Sequence, residues 1–133
     1  MYLLRDRTAL DLLGEAGASL GPDALRNMSD CVMMLDRAGR ITQVSRGSLS
    51  ALEMAGEAEA IGRKWWEIWP AEAHTPLQEA VQRGLQGHIT QYWTTYVHTD
   101  GSVSQWDIRL SPVQDAASEV TSVIAVSRKL TTH

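Results

Sequence analysis

The chain of 133 residues contains one cysteine and no phenylalanine, and lysine and arginine form no run anywhere in it. The single thiol, Cys31, cannot form an internal disulfide, and there is no cysteine pair for a structural zinc site. No apolar stretch reaches the roughly 18 residues that a membrane-spanning helix needs. The net charge of −4 gives no basic footprint for nucleic acid. We therefore expect a cytoplasmic protein that binds neither nucleic acid nor a membrane.

The aromatic residues that are present are five Trp and three Tyr. Each of these side chains has a polar group that needs a hydrogen-bond partner when it is buried. A core built from them is partly polar, which suggests a binding cavity. The alternative is that Trp simply takes the place of Phe in an ordinary core. The length favours a single main domain with a substantial core.

The first 21 residues have the pattern of an amphipathic helix. Leu3, Leu10 and Leu13 fall near one stripe at helical spacing, and Gly21 followed by Pro22 is a stop signal. We predict that residues 1–21 form a capping or dimerisation helix and that residues 22–133 form the main domain. Leu3, Leu10 and Leu13 are the predicted dimer or cap surface.

Strand-like and helix-like segments alternate in blocks along the main domain. A hairpin is predicted at 31–45 around a turn at 37–40, and three further strands at 88–98, 103–113 and 119–128. Between the blocks lie short helical turns and one good helix. We predict that this helix has Thr75 as its N-cap and Pro76 as its first residue, and that it ends at Gly87. This order predicts an α+β fold with an antiparallel sheet.

The strand at 88–98 carries apolar residues on both faces. Tyr92 and Tyr96 alternate onto one face, and Ile89, Trp93 and Val97 onto the other. One face should meet the helices. The other needs cover, which either the N-terminal helix or a second copy of the chain would supply.

Several motifs, taken in order, resemble those of PAS domains, which are sensory modules of histidine kinases, cyclases and transcription regulators. The matching segments cover the opening hairpin with Asp36 and Gly39, the run 60–70 with its Gly-Arg and Trp-Glu-Ile-Trp-Pro, the central helix, the long hairpin 90–113, and the closing segment 124–131. The resemblance implies a five-stranded antiparallel sheet with helices on one face. It also implies a signalling role, as in two-component systems.

The resemblance further implies a small ligand or cofactor in the core, homodimerisation, or both. The output would be a kinase, cyclase or regulator domain in the same chain or in a separate one. Two residues depart from the family pattern. Ser45 stands where an Asn is frequent, and Lys129 stands where an Asp is usual.

For the ligand cavity we single out Trp66, Trp69, Tyr92 and Trp106. These aromatic residues are compatible with a non-covalently bound flavin, although the Asn that some flavin-binding members use is missing at Ser45. Covalent flavin photochemistry is disfavoured, because Cys31 lies on the first strand and not on the short helix after the second. Haem is disfavoured too, since the nearest candidate ligand, His74, lies ahead of the central helix. The histidine spacings match no metal site, so the identity of any ligand stays open.

Two other readings remain. One is a ligand-free protein-interaction module. The other is a small cone-shaped α+β isomerase-like enzyme, whose cavity would use Tyr92, Tyr96 and Asp107. Asp107 and Arg109 share one face of their strand, and we expect that face to be solvated. Because a hairpin precedes the central helices, we expect a sensory domain with no catalytic residues.

Overall fold

The computed structural model describes Leu25 and residues 30–130. The strands are β1 (Cys31–Leu35), β2 (Ile41–Val44), β3 (Thr90–Val97), β4 (Val103–Gln114) and β5 (Val120–Lys129), and the helices are α1 (Arg46–Ala51) and α2 (Ala71–Leu85). Two 3₁₀ turns, Glu57–Glu59 and Trp65–Ile68, lie between the helices. The predicted N-terminal helix, with Leu3, Leu10 and Leu13, lies outside the described residues.

The five strands form one antiparallel sheet in the order β2-β1-β5-β4-β3. The predicted fold is confirmed, including both hairpins. In the first hairpin Asp36 accepts hydrogen bonds from the backbone N–H groups of Ala38 and Arg40, both at 2.9 Å. Gly39 adopts a φ of +84°, which a residue with a Cβ atom rarely does. The turn chemistry therefore closes the hairpin at the place where the sequence indicates it.

The central helix begins earlier than predicted. It starts at Ala71 directly after Pro70, and Pro76 lies inside it. The prediction that Thr75 caps the helix and Pro76 opens it was wrong. The buried residues of α2 already include Ala73, so the apolar stripe extends one turn ahead of Pro76. Pro76 removes only the hydrogen bond to the carbonyl of the exposed residue Glu72, which water can replace.

The main core lies between the helices and the inner face of the sheet. Strand residues such as Met33, Ile108 and Ala125 pack there against helix residues such as Leu77 and Val81. The helix α2 approaches β5 closely, because a Cβ atom on Gly84 would lie only 3.1 Å from Val123 Cγ2. The helices therefore cover the inner face, as predicted.

The outer face of the sheet is covered unevenly. Leu25 is only 1% exposed and packs with Val32, Val113 and Ile124 over the strands β1, β5 and β4. Beside it the β3–β4 hairpin presents an apolar group that stays open to solvent. We call this group the outer stripe; it consists of Ile89, Trp93, Val97 and Val103. The predicted division of apolar residues between the two faces of β3 is therefore confirmed.

Candidate functional site

Three aromatic side chains meet at the centre of the inner core, and we call them the aromatic cluster: Trp69, Tyr96 and Trp106. The ring centroids of Trp69 and Trp106 lie 5.7 Å apart and those of Trp69 and Tyr96 6.0 Å apart, both edge to face. This is the favoured geometry for aromatic pairs. Trp69 is the residue that caps the end of the second 3₁₀ turn. Its extended backbone (φ −94°, ψ 164°) directs the chain away from that turn.

The two indole N–H groups of this cluster differ in their partners. Trp106 Nε1 donates to Ser104 Oγ at 2.8 Å. Trp69 Nε1 is buried and has no hydrogen-bond partner among the residues that the structure describes. A buried donor without a partner costs on the order of 1–3 kcal/mol. The Trp69 indole therefore offers an unused donor to any acceptor atom that enters the core beside it.

A chain of hydrogen bonds connects the aromatic cluster to the surface. Ser104 Oγ lies 2.8 Å from His98 Nε2, and His98 Nδ1 lies 3.2 Å from the carboxylate of Glu53. In neutral His98 the Nδ1–H donates to Glu53, so Nε2 accepts from the Ser104 hydroxyl, which itself accepts from Trp106. Every donor in this arrangement points the same way, from the buried indole to the exposed carboxylate.

Tyr96 joins the same network at its outer end. Its hydroxyl donates to the carbonyl of Leu52 at 2.8 Å, and its ring lies 5.1 Å from that of His98. Burial, the largest cause, raises the pKa of the Tyr96 hydroxyl, and the nearby Glu53 carboxylate adds to the rise. Glu53, which follows Leu52 in the chain, has the left-handed backbone conformation (φ +57°) that few non-glycine residues adopt. The segment after α1 is therefore tied directly to the aromatic cluster.

The structure brings only part of the predicted cavity set together. Trp69 and Trp106 are in contact, and Tyr92 packs against the same core. Trp66 also touches this core, but it lines a cleft on the outside of α2 as well. Sequence reasoning missed Ser104, His98 and Glu53. The alternation in β4 places Ser104 on the face of Trp106, but no local pattern connects Glu53 with residues 45 positions away.

The described residues lack the amide side chain that some flavin-binding family members use. Ser45, at the position of the family's Asn, is fully buried; its hydroxyl donates to the carbonyl of Asp30 and accepts from the N–H of Val32. The thiol of Cys31 is on β1, and burial raises its pKa to about 11. A thiolate is the reactive form of cysteine, so this group is inert at neutral pH.

His74 lies inside α2, so the prediction that it precedes the central helix was wrong. Its Nε2 lies 2.8 Å from the carbonyl oxygen of Trp69, and because a carbonyl only accepts, Nε2 carries the proton. Within residues 30–130 no three His, Cys, Asp or Glu side chains are grouped as metal ligands. In the same part of the chain, no helix combines the length and apolarity needed to cross a membrane.

The residues of the isomerase-like alternative do not converge. Tyr92 and Tyr96 pack on the inner core, whereas Asp107 points to the outer face, opposite Trp93. Asp107 accepts from Gln91 Nε2 at 2.8 Å and pairs with Arg109 at 3.4 Å. The expectation of a solvated face for this pair was wrong, because Asp107 is only 8% exposed. Gln91 and Arg109 therefore supply the hydrogen-bond partners that water would supply on a solvated face.

The fold is that of a small α+β domain, and the comparisons with known proteins show its family. The family model described as PAS fold matches residues 25–133. The chain belongs to the PAS family, whose members are sensory and signalling modules. This identification confirms the resemblance that the sequence motifs carry. No curated protein sequence matches the chain significantly.

Solved structures show the same fold at low sequence identity. The PAS domain of a protein from Colwellia psychrerythraea has 18% identity and a TM-score of 0.66, over 91% of this chain and 98% of that one. A light-oxygen-voltage domain from work on a flavin analogue has 22% identity and a TM-score of 0.65, over 82% and 83%. The VqmA dimer protein of Vibrio cholerae has 15% identity and a TM-score of 0.67, over 93% of this chain. The chain spans about half of that protein, 52% of its length.

Proposed function

We propose that this chain is a sensory domain without catalytic activity that binds a small colourless molecule beside the aromatic cluster. The observation that carries the proposal is the buried Trp69 N–H, which has no hydrogen-bond partner among the described residues. A ligand with a hydrogen-bond acceptor would relieve this desolvated donor and stack against neighbouring rings.

Ligand binding would act by shifting a population between two packings of the core. A molecule that moves Trp69 displaces Tyr96, whose hydroxyl holds the carbonyl of Leu52. Leu52 precedes Glu53, which holds His98 and the backbone N–H of Thr99. The change would therefore reach the β3–β4 turn and the outer face. A kinase, cyclase or regulator domain, in the same chain or a separate one, would read the change out.

Native mass spectrometry of the purified protein, with a visible absorption spectrum, tests the ligand proposal. We expect no visible band, together with an added mass that disappears on denaturation. The Trp69→Phe variant should lose most of the added mass, because it lacks the donor for the ligand. The Trp106→Phe variant should keep the added mass, because the N–H of Trp106 already donates to Ser104. An apo mass and a blank spectrum for the unaltered chain would contradict the proposal and favour the ligand-free interaction module.

We also propose that the chain forms a homodimer in the cytoplasm through its N-terminal segment and the outer stripe. The stripe supports this proposal, because Trp93, Val97 and Val103 are each more than half exposed. Large exposed apolar groups on one face mark interaction sites. The predicted helix 1–21 carries Leu3, Leu10 and Leu13, which would cover the stripe of the same chain or of a second copy.

Light scattering of a double variant tests the dimer. Leu10→Glu with Leu13→Glu should lower the mass from that of a dimer to that of a monomer. The matched control is Leu4→Glu with Leu12→Glu, which places the same charges off the predicted stripe and should leave the dimer intact. An unchanged mass in the first variant would contradict the proposed surface.

A further inference from the structure

A second candidate site lies on the outside of α2, away from the aromatic cluster. It is a cleft of about 780 Å³ between the β1–β2 turn, the second 3₁₀ turn and the outward face of α2. Sites for small molecules have volumes of roughly 300–1,000 Å³. The cleft is thus large enough for a small organic molecule, and nothing in the proposed signalling function uses it.

One wall of the cleft presents a cation that is held in place. Lys64 Nζ donates to the carbonyl of Ala38 at 3.1 Å and lies 5.4 Å from the centroid of the Trp66 ring. The Trp66 ring packs directly on the backbone of Gly39, because a Cβ atom at that position would lie only 2.5 Å from the ring. An ammonium group on a fixed aromatic ring loses little freedom when it binds an anion.

The polar face of α2 supplies most of the remaining lining. Gln78, Glu79, Gln82 and Arg83 line the cleft, at the spacings of three and four residues that place side chains on one side of a helix. Within the described part of the chain, no hydrogen bond or ion pair engages the Arg83 guanidinium. Its planar fork of donors matches the oxygens of a phosphate group. The amides and the carboxylate can each bind sugar hydroxyls.

The charges of the cleft differ from those of the whole chain. The chain has a net charge of −4, yet the cleft is lined by Lys64, Arg83 and His88 and by a single carboxylate, that of Glu79. We propose that this cleft binds a phosphorylated sugar, either free or as part of a nucleotide. Lys64 and Arg83 hold the phosphate, while Glu79 and the glutamine amides hold the hydroxyl groups.

Isothermal titration calorimetry of the full chain tests the ligand class. The probes are ribose 5-phosphate and adenosine 5′-monophosphate, with ribose and inorganic phosphate as the two halves of the ligand. Ribose 5-phosphate should bind at least about tenfold more tightly than either half. Tighter binding of the nucleotide would identify a nucleotide site, and equal binding a sugar-phosphate site. Absence of binding by both probes at millimolar concentration, or inorganic phosphate binding as tightly as ribose 5-phosphate, would overturn the proposal.

Charge-neutral variants test the residues. Lys64→Gln and Arg83→Gln should each weaken ribose 5-phosphate binding about tenfold, the usual order for a charge-assisted contact. The matched control is Arg46→Gln, which removes one exposed positive charge outside the cleft and should change nothing. If all three variants weakened ribose 5-phosphate binding equally, the effect would come from the overall charge of the protein, and the proposed site would be overturned. Trp69→Phe should leave this binding unchanged, so failure here is distinct from failure of the proposed ligand in the core.

Discussion

Two tryptophans on the same hairpin have opposite environments. Trp106 on β4 and Trp93 on β3 point to opposite faces of the sheet. They are close neighbours in the register, because Trp106 pairs with Thr94, the residue after Trp93. Trp93 itself pairs with Asp107, the residue after Trp106. Trp106 is 1% exposed and Trp93 is 62% exposed. Both residues are Trp on paired strands of one hairpin, so the difference in exposure comes from what covers each face. Helices cover the inner face, while the described residues leave the outer stripe open.

This difference separates a structural role from an interaction role. A buried ring contributes through contacts and excluded water, and removing it leaves a cavity. An exposed ring contributes little to the stability of the monomer and much to any surface that later covers it. The comparison therefore predicts that the effects of mutation divide by face of the sheet, and not by residue type.

The largest expected effect is that of Trp106→Ala. Loss of a buried Trp side chain costs about 3–5 kcal/mol of unfolding free energy, and Ser104 also loses the donor that it accepts from. Trp93→Ala on the other face should cost less than about 0.5 kcal/mol in the monomer. Urea unfolding followed by circular dichroism measures both. Similar losses in the two variants would break the comparison between the faces.

A backbone substitution should have the next largest effect. Gly39→Ala forces a Cβ atom against the Trp66 ring and also strains a residue with a φ of +84°. We expect a loss of about 2–4 kcal/mol. Gly101→Ala is the matched control, because it has a similar φ of +89° but open space around the added methyl group. It should cost only about 1–2 kcal/mol. Equal losses in thermal unfolding would show that Trp66 moves aside freely.

The inner face should also show a loss of stability at alkaline pH. Burial raises the pKa of the Cys31 thiol from 9.0 to about 11. The unfolded chain releases this proton first, so stability is fully present below pH 9 and falls as the pH rises towards 11. The two-unit rise in pKa corresponds to a loss of roughly 3 kcal/mol at most.

Cys31→Ala should flatten that alkaline loss. Tyr96, whose pKa is also raised, remains in the variant, so the difference between the two curves isolates the thiol. Urea unfolding at a series of pH values between 8 and 11 provides the measurement. Parallel curves for the two proteins would mean that folding does not raise the pKa of the Cys31 thiol.

The sheet could be predicted from the sequence, because alternation along a strand and the turn residues are local signals. All five strands lie within a few residues of their predicted bounds. The site could be predicted only in part. Trp66 and Trp69 are only three residues apart. The extended backbone at Trp69 directs its side chain into the core, whereas Trp66 also reaches the cleft on the outside of α2. The hydrogen bonds from Ser104 through His98 to Glu53 depend on long-range packing, which no spacing rule reports.

A smaller effect should distinguish the two indoles of the aromatic cluster. Trp106→Phe removes a donor that Ser104 uses, so we expect a loss of about 1–2 kcal/mol from the bond and the smaller ring. Trp69→Phe removes a buried donor without a described partner. Relief of the desolvation cost of that donor offsets the stability that is lost with the larger ring. Its net effect should lie within about 1 kcal/mol of zero. Thermal unfolding of both variants without ligand tests the order, and a greater loss for Trp69→Phe would show that its N–H has a partner.

The smallest effect concerns the outer end of the hydrogen-bond chain. The backbone N–H and the hydroxyl of Thr99, each 3.0 Å from the Glu53 carboxylate, hold the pKa of Glu53 below its usual 4.5, and His98 adds to this. The unfolded chain therefore binds this proton first, so the contribution of Glu53 is present above pH 4.5 and is lost as the pH falls through the folded value. An NMR titration of the carboxyl carbon should give a midpoint below 4.5. Thr99→Val removes only the hydroxyl donor, so its midpoint should rise part of the way back. An unchanged midpoint in that variant would show that the backbone N–H alone holds Glu53 in place, and a full return to 4.5 that the hydroxyl does.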